Sequence, residues 1–176
     1  MTDPDELVVL IDEGGQPVGT ADKATVHSSD TPLHLAFSCH VRDTDGRLLV
    51  TRRALTKRTW PGVWTNSFCG HPAPGEDLES AVARRALDEL GITVTDLRLV
   101  LPTFRYRAVD ATGVVENELC PVFTAISLDE VRPAPDEVVE HRWIDPEDLE
   151  VAAAAAPWAF SPWLRLQLAE LIAVRA

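Results

Sequence analysis

The run from Leu78 to Leu90 constrains the fold of this chain more than any other segment. It contains no glycine or proline, and Gly91 follows as a C-terminal stop, so a helix is predicted here. At about 100° per residue, Arg85 and Glu89 fall in the middle of its apolar face, which carries Leu78, Ala81, Val82 and Ala86. Charges on an apolar stripe are costly to bury unless they are paired or liganded, so this inward placement favours a site. The alternative is a simple i,i+4 ion pair, worth only ~0.3–0.5 kcal/mol on an exposed helix.

The rest of the chain predicts an α+β fold in which mixed β-sheets are flanked by a few helices. The strand-like runs are Glu6–Asp12, Leu33–Val41, Arg47–Arg53, Val63–Cys69, Leu97–Ala108, Val114–Ile126 and Val138–Ile144. Two further helices are predicted over Pro146–Ala155 and Ser161–Val174, the second with Ser161 as N-cap and Pro162 at its first position. No repeat or long linker divides the chain, so we expect one domain over residues 1–176.

The charge distribution favours a small anionic ligand and argues against nucleic acid as a partner. The net charge is −12, but residues 42–58 hold six basic residues against two acidic ones and net +4. An acidic protein with one basic stretch suits a small anion. A solvated edge strand rich in arginine would give the same pattern.

Several features bear on the compartment. No apolar run approaches the roughly 20 residues that a membrane helix needs, and the amino terminus lacks the basic region of a secretory signal. Cys39, Cys69 and Cys120 are odd in number and widely spaced, so we interpret them as reduced thiols of a cytoplasmic protein. Nothing in the sequence marks an oligomer, and a monomer is the default expectation.

Five residues of ligand type are candidates for one metal site: His27, His34, His71, Glu116 and Glu118. The two glutamates are two apart in a predicted strand, so both point to one side of the sheet. Exposed strand faces also carry polar residues at every second position, so spacing alone does not separate a metal site from a solvated surface. A mixed nitrogen and oxygen shell suits Mn²⁺, Mg²⁺ or Zn²⁺.

Several stretches together resemble a known family. Residues 70–92 read Gly70-x5-Glu76-x7-Arg84-Arg85-x2-Asp88-Glu89-x-Gly91-Ile92. This spacing resembles the Nudix box, a loop and helix whose carboxylates hold a divalent cation against a diphosphate. Nudix hydrolases have glutamate where Arg85 stands, and usually Glu-Glu where Asp88 and Glu89 stand, so the hydrolytic carboxylate set is incomplete.

The wider match is to the type I isopentenyl diphosphate isomerases, Nudix-fold proteins that do not hydrolyse their substrate. They are similar in breaking the box where Arg85 stands. The matching stretches are HLAFS (34–38), LLVTRRALTKRTWPGVWTNSFCGHP (48–72), FRYRA (104–108), VENELCPVF (115–123) and PWAFSPW (157–163). They span most of the chain, and we therefore expect a Nudix-type fold.

The resemblance implies conversion of isopentenyl to dimethylallyl diphosphate by a 1,3-proton shift, a step that supplies isoprenoid biosynthesis. An unactivated alkene must gain a proton, forming a tertiary carbocation, and then lose a different proton. Two acid/base groups on opposite faces of a dry pocket are therefore needed. By resemblance they are Cys69 and Glu118, in either order. Tyr106 would hydrogen-bond Glu118, and Trp163 would lie over the cation, which a ring face stabilises by ~2 kcal/mol or more.

The resemblance also implies two metal ions and a diphosphate clamp. The first ion would be held by His27, His34, His71, Glu116 and Glu118. A second ion, Mg²⁺, would bridge the diphosphate to Glu89. The family's diphosphate-contacting positions are matched by Lys23, Arg53, Lys57 and Arg85, whereas strand alternation sends Arg52 to the opposite face from Arg53.

Two other functions stay open at this point. A Nudix hydrolase of a nucleoside diphosphate derivative would keep the fold and Mg²⁺, but Arg85 replaces the box glutamate. A catalytically silent diphosphate-binding module would have no reason to retain both Cys69 and Glu118.

Overall fold

The computed structural model describes residues 6–175, with side chains described up to residue 172. Within this range the chain forms twelve β-strands, three α-helices and one 3-10 turn at Pro157–Ala159. The strands are β1 (Leu7–Ile11), β2 (Pro17–Asp22), β3 (His34–Leu35), β4 (Phe37–Arg42), β5 (Leu48–Arg53), β6 (Trp64–Thr65), β7 (Phe68–Gly70), β8 (Thr95–Leu101), β9 (Arg105–Val109), β10 (Val115–Leu119), β11 (Val122–Ile126) and β12 (Val138–Ile144). The helices are α1 (Leu78–Leu90), α2 (Pro146–Ala155) and α3 (Pro162–Arg175).

The strands form two mixed sheets, as the α+β prediction required. The first has the order β2-β1-β3-β10-β9. The second follows β12-β5-β4-β11-β8, with β6 paired to β5 and β7 paired to β4. The pairs β3–β10 and β4–β11 are parallel, and the other pairs are antiparallel.

Three predicted strands are each divided between the two sheets, and these divisions create the site. The run 33–41 breaks at Ala36, so β3 lies in the first sheet and β4 in the second. The run 114–126 breaks at Cys120 and Pro121, where proline has no N–H for a ladder bond, and again delivers one strand to each sheet. The run 97–108 breaks likewise at 102–104. The two sheets therefore diverge from a shared seam, and a cavity opens between them.

Two smaller differences concern short strands. The predicted run 63–69 is divided into β6 and β7, and β2 was not predicted. Its residues are almost all exposed, so it lacks the apolar alternation that marks a half-buried strand.

Helix α1 has the predicted bounds and the predicted inner face. Asp77 caps its N-terminus by accepting from the Ser80 N–H at 3.1 Å, and Gly91 ends it at φ 64°. Arg85 and Glu89 are buried on the face that packs against β4 and β7. Gly70 permits this approach, because a Cβ there would lie 2.8 Å from the Phe37 ring and 2.9 Å from Arg85 Cγ.

The other face of the second sheet is covered by α2 and α3. Leu149 and Ala153 of α2 and Leu164 and Leu168 of α3 pack with Leu48 and Val50 of β5. Ser161 acts as the predicted N-cap, since its hydroxyl accepts from the Leu164 N–H at 3.3 Å. Within residues 6–175, no helix is both long enough and apolar enough to cross a membrane.

Candidate active site

A cavity of about 580 Å³ opens where the two sheets diverge. It is lined by twelve of the residues expected from the sequence, namely Lys23, His27, Arg53, Lys57, Cys69, His71, Arg85, Glu89, Tyr106, Glu116, Glu118 and Trp163. The remaining one, His34, is fully buried at the start of β3 and contacts Glu118 from behind the cavity wall. The structure thus brings all of the expected side chains to one place.

Three histidines and one carboxylate converge at one end of the cavity. Ligand atoms of His27, His34, His71 and Glu118 lie within 4.8 Å of one another. His34 and Glu118 are register partners on the parallel pair β3–β10, so the sheet itself fixes their approach. Glu116 stands beside this group rather than within it, with its carboxylate 3.0 Å from His27 Nε2.

The hydrogen bonds of these histidines fit a divalent cation. His34 Nδ1 lies 2.9 Å from the Pro32 carbonyl, and such an acceptor fixes the N–H there and leaves a lone pair on Nε2. The Nε2 atoms of His27 and His34 are buried and make no hydrogen bond. Orphaned imidazole nitrogens facing a carboxylate are the donor set of a metal site. The cluster is therefore a candidate divalent-metal site.

Electrostatics around Glu118 also favour a bound cation. Burial would raise the pKa of Glu118, but its contacts with the His34 and His71 imidazoles hold it well below the usual range. Burial lowers the pKa of His71 to about 4 although Glu118 opposes the shift. Burial lowers the pKa of His34, but Glu118, the Pro32 carbonyl and Glu116 together outweigh burial, so its net shift is upward. The carboxylate thus attracts one positive charge to the cluster, a proton on His34 or a metal ion.

Cys69 stands on β7 and lines the same cavity, and its hydrogen-bond partners are neutral. Its thiol lies 3.3 Å from Asn66 Oδ1, to which it donates, and 3.2 Å from the Ser38 hydroxyl. Burial raises the pKa of Cys69 to about 12, although Ser38 and Asn66 oppose the shift. The thiol therefore carries its proton at neutral pH.

Aromatic side chains close the cavity between these two groups. The Tyr106 hydroxyl donates to Glu118 Oε2 at 2.9 Å, and its ring centroid lies 5.7 Å from that of Trp163. Trp163 in turn donates its indole N–H to Asn66 Oδ1 at 3.1 Å, and Trp60 packs edge-on against it at 5.5 Å. The wall is rigid because both polar aromatics are buried with their hydrogen bonds made.

Three of the basic residues that line the cavity are paired with carboxylates. Lys23 pairs with Glu6 at 2.8 Å, and Lys57 pairs with Glu137. Arg85 donates from Nε to Glu89 at 2.9 Å, so the i,i+4 ion pair considered from the sequence does form, but it is buried and lines the cavity.

The side chains of the adjacent arginines on β5 point in different directions. Arg53 points into the cavity, where its guanidinium donates to the Thr59 carbonyl at 2.9 Å and lies 5.3 Å from the Trp163 ring centroid. Arg52 instead donates to the Gly62 carbonyl and pairs with Glu140 at 3.6 Å. The predicted alternation is confirmed.

Sequence reasoning missed the polar residues that hold the expected ones in place. They are Ser38, Thr59, Asn66, Glu137 and Gln167. The Thr59 hydroxyl donates to Glu116 at 2.6 Å, and Asn66 contacts both Cys69 and Trp163. A signal existed for Asn66, because a run of three polar residues (65–67) inside a predicted buried strand breaks the alternation of such a strand.

Comparison with known proteins agrees with this site. The NUDIX domain family model matches residues 32–165. An "Isopentenyl-diphosphate Delta-isomerase" from Leifsonia xyli subsp. xyli is 68% identical, covering 98% of this chain and 95% of its own. Proteins of the same name from Clavibacter sepedonicus (67% identical, 93% and 86% covered) and Mycolicibacterium vanbaalenii (58% identical, 95% and 92% covered) are also similar.

Solved structures support the fold. A crystal structure of a Deinococcus radiodurans protein matches with a TM-score of 0.73 at 20% identity, covering 94% of this chain and 98% of that one. The MutT protein of Methanosarcina mazei matches with a TM-score of 0.61 at 20% identity, covering 79% and 92%. With the family model and the relatives of high identity, these findings show that the chain belongs to the isopentenyl-diphosphate Delta-isomerase family of Nudix-fold proteins.

Proposed function

We propose that this protein converts isopentenyl diphosphate to dimethylallyl diphosphate by a protonation–deprotonation 1,3-proton shift, a step that supplies isoprenoid biosynthesis. The observation that carries the proposal is the placement of Cys69 and Glu118 on β7 and β10, strands of different sheets that face one cavity. Relatives that match nearly the whole chain carry the name of this activity.

The chemistry needs both groups. One of them gives a proton to the terminal carbon of the alkene, whose π electrons form the new C–H bond and leave a tertiary carbocation. The other takes a proton from the neighbouring methylene, and those C–H electrons become the new double bond. After one turnover, a proton has moved between Cys69 and Glu118, so the groups must exchange with solvent before the next.

Trp163 is the residue proposed to stabilise the carbocation. Its ring is buried between Tyr106 and Trp60, and its indole N–H is held by Asn66. The guanidinium of Arg53 lies over the ring, which supports an affinity of this face for positive charge. Tyr106 would keep the Glu118 carboxylate oriented through its hydrogen bond.

Two metal ions belong to the proposal. His27, His34, His71, Glu116 and Glu118 would hold the first, which would be Mn²⁺, Mg²⁺ or Zn²⁺. When bound, such an ion would lower the affinity of the Glu118 carboxyl for a proton. Glu89 would hold a second ion, Mg²⁺, against the diphosphate. Burial raises the pKa of Glu89 although Arg85 opposes it, and a buried carboxylate gains from a nearby cation.

The diphosphate would be bound by Lys23, Arg53, Lys57 and Arg85. These cations come from separate segments, as clamping two phosphates requires. Three of them are paired with Glu6, Glu89 or Glu137, so diphosphate binding would exchange internal partners for phosphate oxygens. The small-molecule diphosphate is the proposed partner, without nucleic acid or membrane.

The proposal also includes the expectations for domain organisation, oligomeric state and compartment. We expect residues 1–176 to act as one domain and as a monomer. The three cysteines are free, which fits a reducing cytoplasm.

Proton NMR of the purified protein with isopentenyl diphosphate and Mg²⁺ tests the function. We expect the terminal alkene signals to be replaced by those of dimethylallyl diphosphate. Unchanged alkene signals in metal-replete protein would reject the proposal. Hydrolysis of a nucleotide panel would then indicate a Nudix hydrolase, and calorimetric binding of diphosphate without turnover would indicate a silent binding module.

A further inference from the structure

Strand β4 has two buried faces of different character. Phe37, Cys39 and Val41 belong to the apolar core under α1. Ser38 and His40 alternate with them and therefore point to the other side, where they meet Gln167 of α3. Ser38 and Gln167 are fully buried and His40 is 2% exposed.

These side chains form a hydrogen-bonded chain that ends at Cys69. His40 Nε2 lies 2.9 Å from Gln167 Oε1, and Gln167 Nε2 donates to the Ser38 hydroxyl at 2.8 Å. The Ser38 oxygen lies 3.2 Å from Cys69 Sγ and 3.3 Å from Cys120 Sγ. A chain of this kind links a histidine deep under α3 to a thiol on the cavity wall.

The direction of each hydrogen bond follows from the partners. Because the Gln167 amide donates to Ser38, the serine keeps its own proton for one of the two sulfurs. Asn66 Oδ1 must be an acceptor, because the Trp163 indole can only donate to it, while Asn66 Nδ2 donates to the carbonyls of Cys39 and Phe68. The thiol proton of Cys69 is thus directed to Asn66, and its sulfur lone pairs are left to accept from Ser38.

Packing alone does not account for this chain. Burying an amide, an imidazole and a hydroxyl costs hydration free energy that apolar side chains would not lose. Such a network is stable only when every member makes its hydrogen bonds. On the opposite face of the same strand, apolar residues fill the space. The polar side chains therefore act on the group at the cavity end of the hydrogen-bonded chain, the sulfur of Cys69.

We propose that Gln167, held by His40, keeps the Ser38 hydroxyl as a hydrogen-bond donor to Cys69, and that these three are positioning residues for the proton step at that sulfur. The inference rests on the proposed isomerase function. When the S–H bond breaks, its electron pair stays on sulfur and the proton goes to carbon, so Ser38 then donates to a thiolate. Hydrogen bonds to a charged acceptor are roughly twice as strong as neutral ones. The same contact therefore stabilises the charged form of Cys69 more than the resting thiol.

Steady-state kinetics of Ser38→Ala and Gln167→Met test the proposal. We expect each to lower kcat about 10- to 100-fold, the range for a hydrogen bond to a charged group, with KM within about threefold of wild type. Ser38→Thr, which keeps the hydroxyl, should recover most of the lost kcat. A rise in KM at unchanged kcat would overturn the proposal.

The double variant separates positioning from packing. If Gln167 acts through Ser38, then Gln167→Met in the Ser38→Ala background has no further effect on kcat. Losses that multiply would overturn the proposed chain. Ser127→Ala is the matched control, because Ser127 is also buried and hydrogen-bonded but lies away from the cavity. It should lower the melting temperature and leave kcat unchanged.

Infrared spectroscopy of the S–H stretch gives a readout that needs no turnover. The Cys69 band is identified by its loss in Cys69→Ala, and we expect Gln167→Met, a substitution of similar volume, to shift it. An unshifted band would overturn the inference even if the enzyme is active. If the wild type does not isomerise the substrate, the proposed function fails, and this band alone decides whether the chain reaches Cys69.

Discussion

The two sides of the cavity hold the proposed acid/base groups, Glu118 and Cys69, by opposite means. On the side of the first sheet, which we call the carboxylate wall (Glu118, Tyr106 and His34, joined by His71 from the end of β7), neighbouring groups surround Glu118 and keep its pKa well below the usual range in spite of burial. On the side of the second sheet, the thiol wall (Cys69, Asn66 and Ser38), neutral partners leave burial in control and the pKa of Cys69 rises to about 12.

One cavity thus prepares two groups for complementary tasks. Glu118 is buried and Cys69 is half-buried at the cavity wall, yet the first has lost its proton at neutral pH and the second retains it. Charge-assisted donors can outweigh desolvation, whereas hydrogen bonds with a neutral amide and hydroxyl do not. The substrate therefore meets a proton on one side and a negative charge on the other.

The largest expected effect comes from removing either group. We expect Cys69→Ala and Glu118→Gln each to lower kcat by about 10²–10⁴-fold, the range of general acid–base catalysis, with the fold intact by circular dichroism. Cys39→Ala is the matched control, since Cys39 lies on the core face of β4 and should cost stability without costing turnover. More than a few per cent of activity in either site variant would mean that one wall suffices.

Alkylation of Cys69 tests the thiol wall directly. Only the thiolate reacts, so a pKa near 12 predicts a reaction with iodoacetamide at pH 8 about 10³-fold slower than that of an ordinary thiol. Because the pKa is raised, the rate should still increase about tenfold per pH unit at pH 10. Cys69→Ala identifies the reacting site by mass spectrometry. A rate that levels off below pH 10 would show that the thiol wall does not hold the proton as described.

Tyr106→Phe tests the carboxylate wall with a smaller change. It removes one hydrogen bond to a charged acceptor while keeping the ring that packs against Trp163 and Phe104. Such a bond is worth about 1.5–3 kcal/mol, so we expect kcat to fall about 10- to 100-fold and the melting temperature to fall by several degrees. Wild-type turnover in this variant would remove Tyr106 from the proton step.

The smallest expected effect is on stability, when the metal is removed. A ligand at 100 times its Kd adds about 2.7 kcal/mol to the free energy of unfolding, so a chelator should lower the melting temperature. In His71→Ala this response should be lost, together with bound metal measured by elemental analysis. His141→Gln, a histidine of β12 outside the cluster, should respond as the wild type does. A chelator response that survives in His71→Ala would place the metal elsewhere.

Local signals in the sequence predicted α1 with its bounds and its inward charges. The helix depends on its own periodicity and on the stop at Gly91, both of which are contained in one short segment. The strands 33–41 and 114–126 were predicted as single runs, because their division between two sheets depends on pairing with strands far away in the chain. Tertiary pairing, rather than local preference, decides where such a run changes sheet.

The residues of the site show the same contrast between local sequence signals and tertiary contacts. The catalytic, metal-binding and diphosphate-binding candidates were found through family motifs. Their partners were not, because Asn66 meets Trp163 across 97 positions and Gln167 meets Ser38 across 129. Glu137 also lies far from Lys57 in the chain, at 80 positions. Such contacts exist only in the folded protein, and neither residue spacing nor composition predicts them.

The most direct test of the two-wall account is the isomerisation of isopentenyl diphosphate in D₂O, followed by NMR. Two separate groups that exchange with solvent predict one deuterium in the methyl group formed from the terminal alkene carbon, placed there at every turnover. Dimethylallyl diphosphate that forms without deuterium would mean that a single group carries the substrate's own proton from carbon to carbon, which would contradict the division of labour between Cys69 and Glu118.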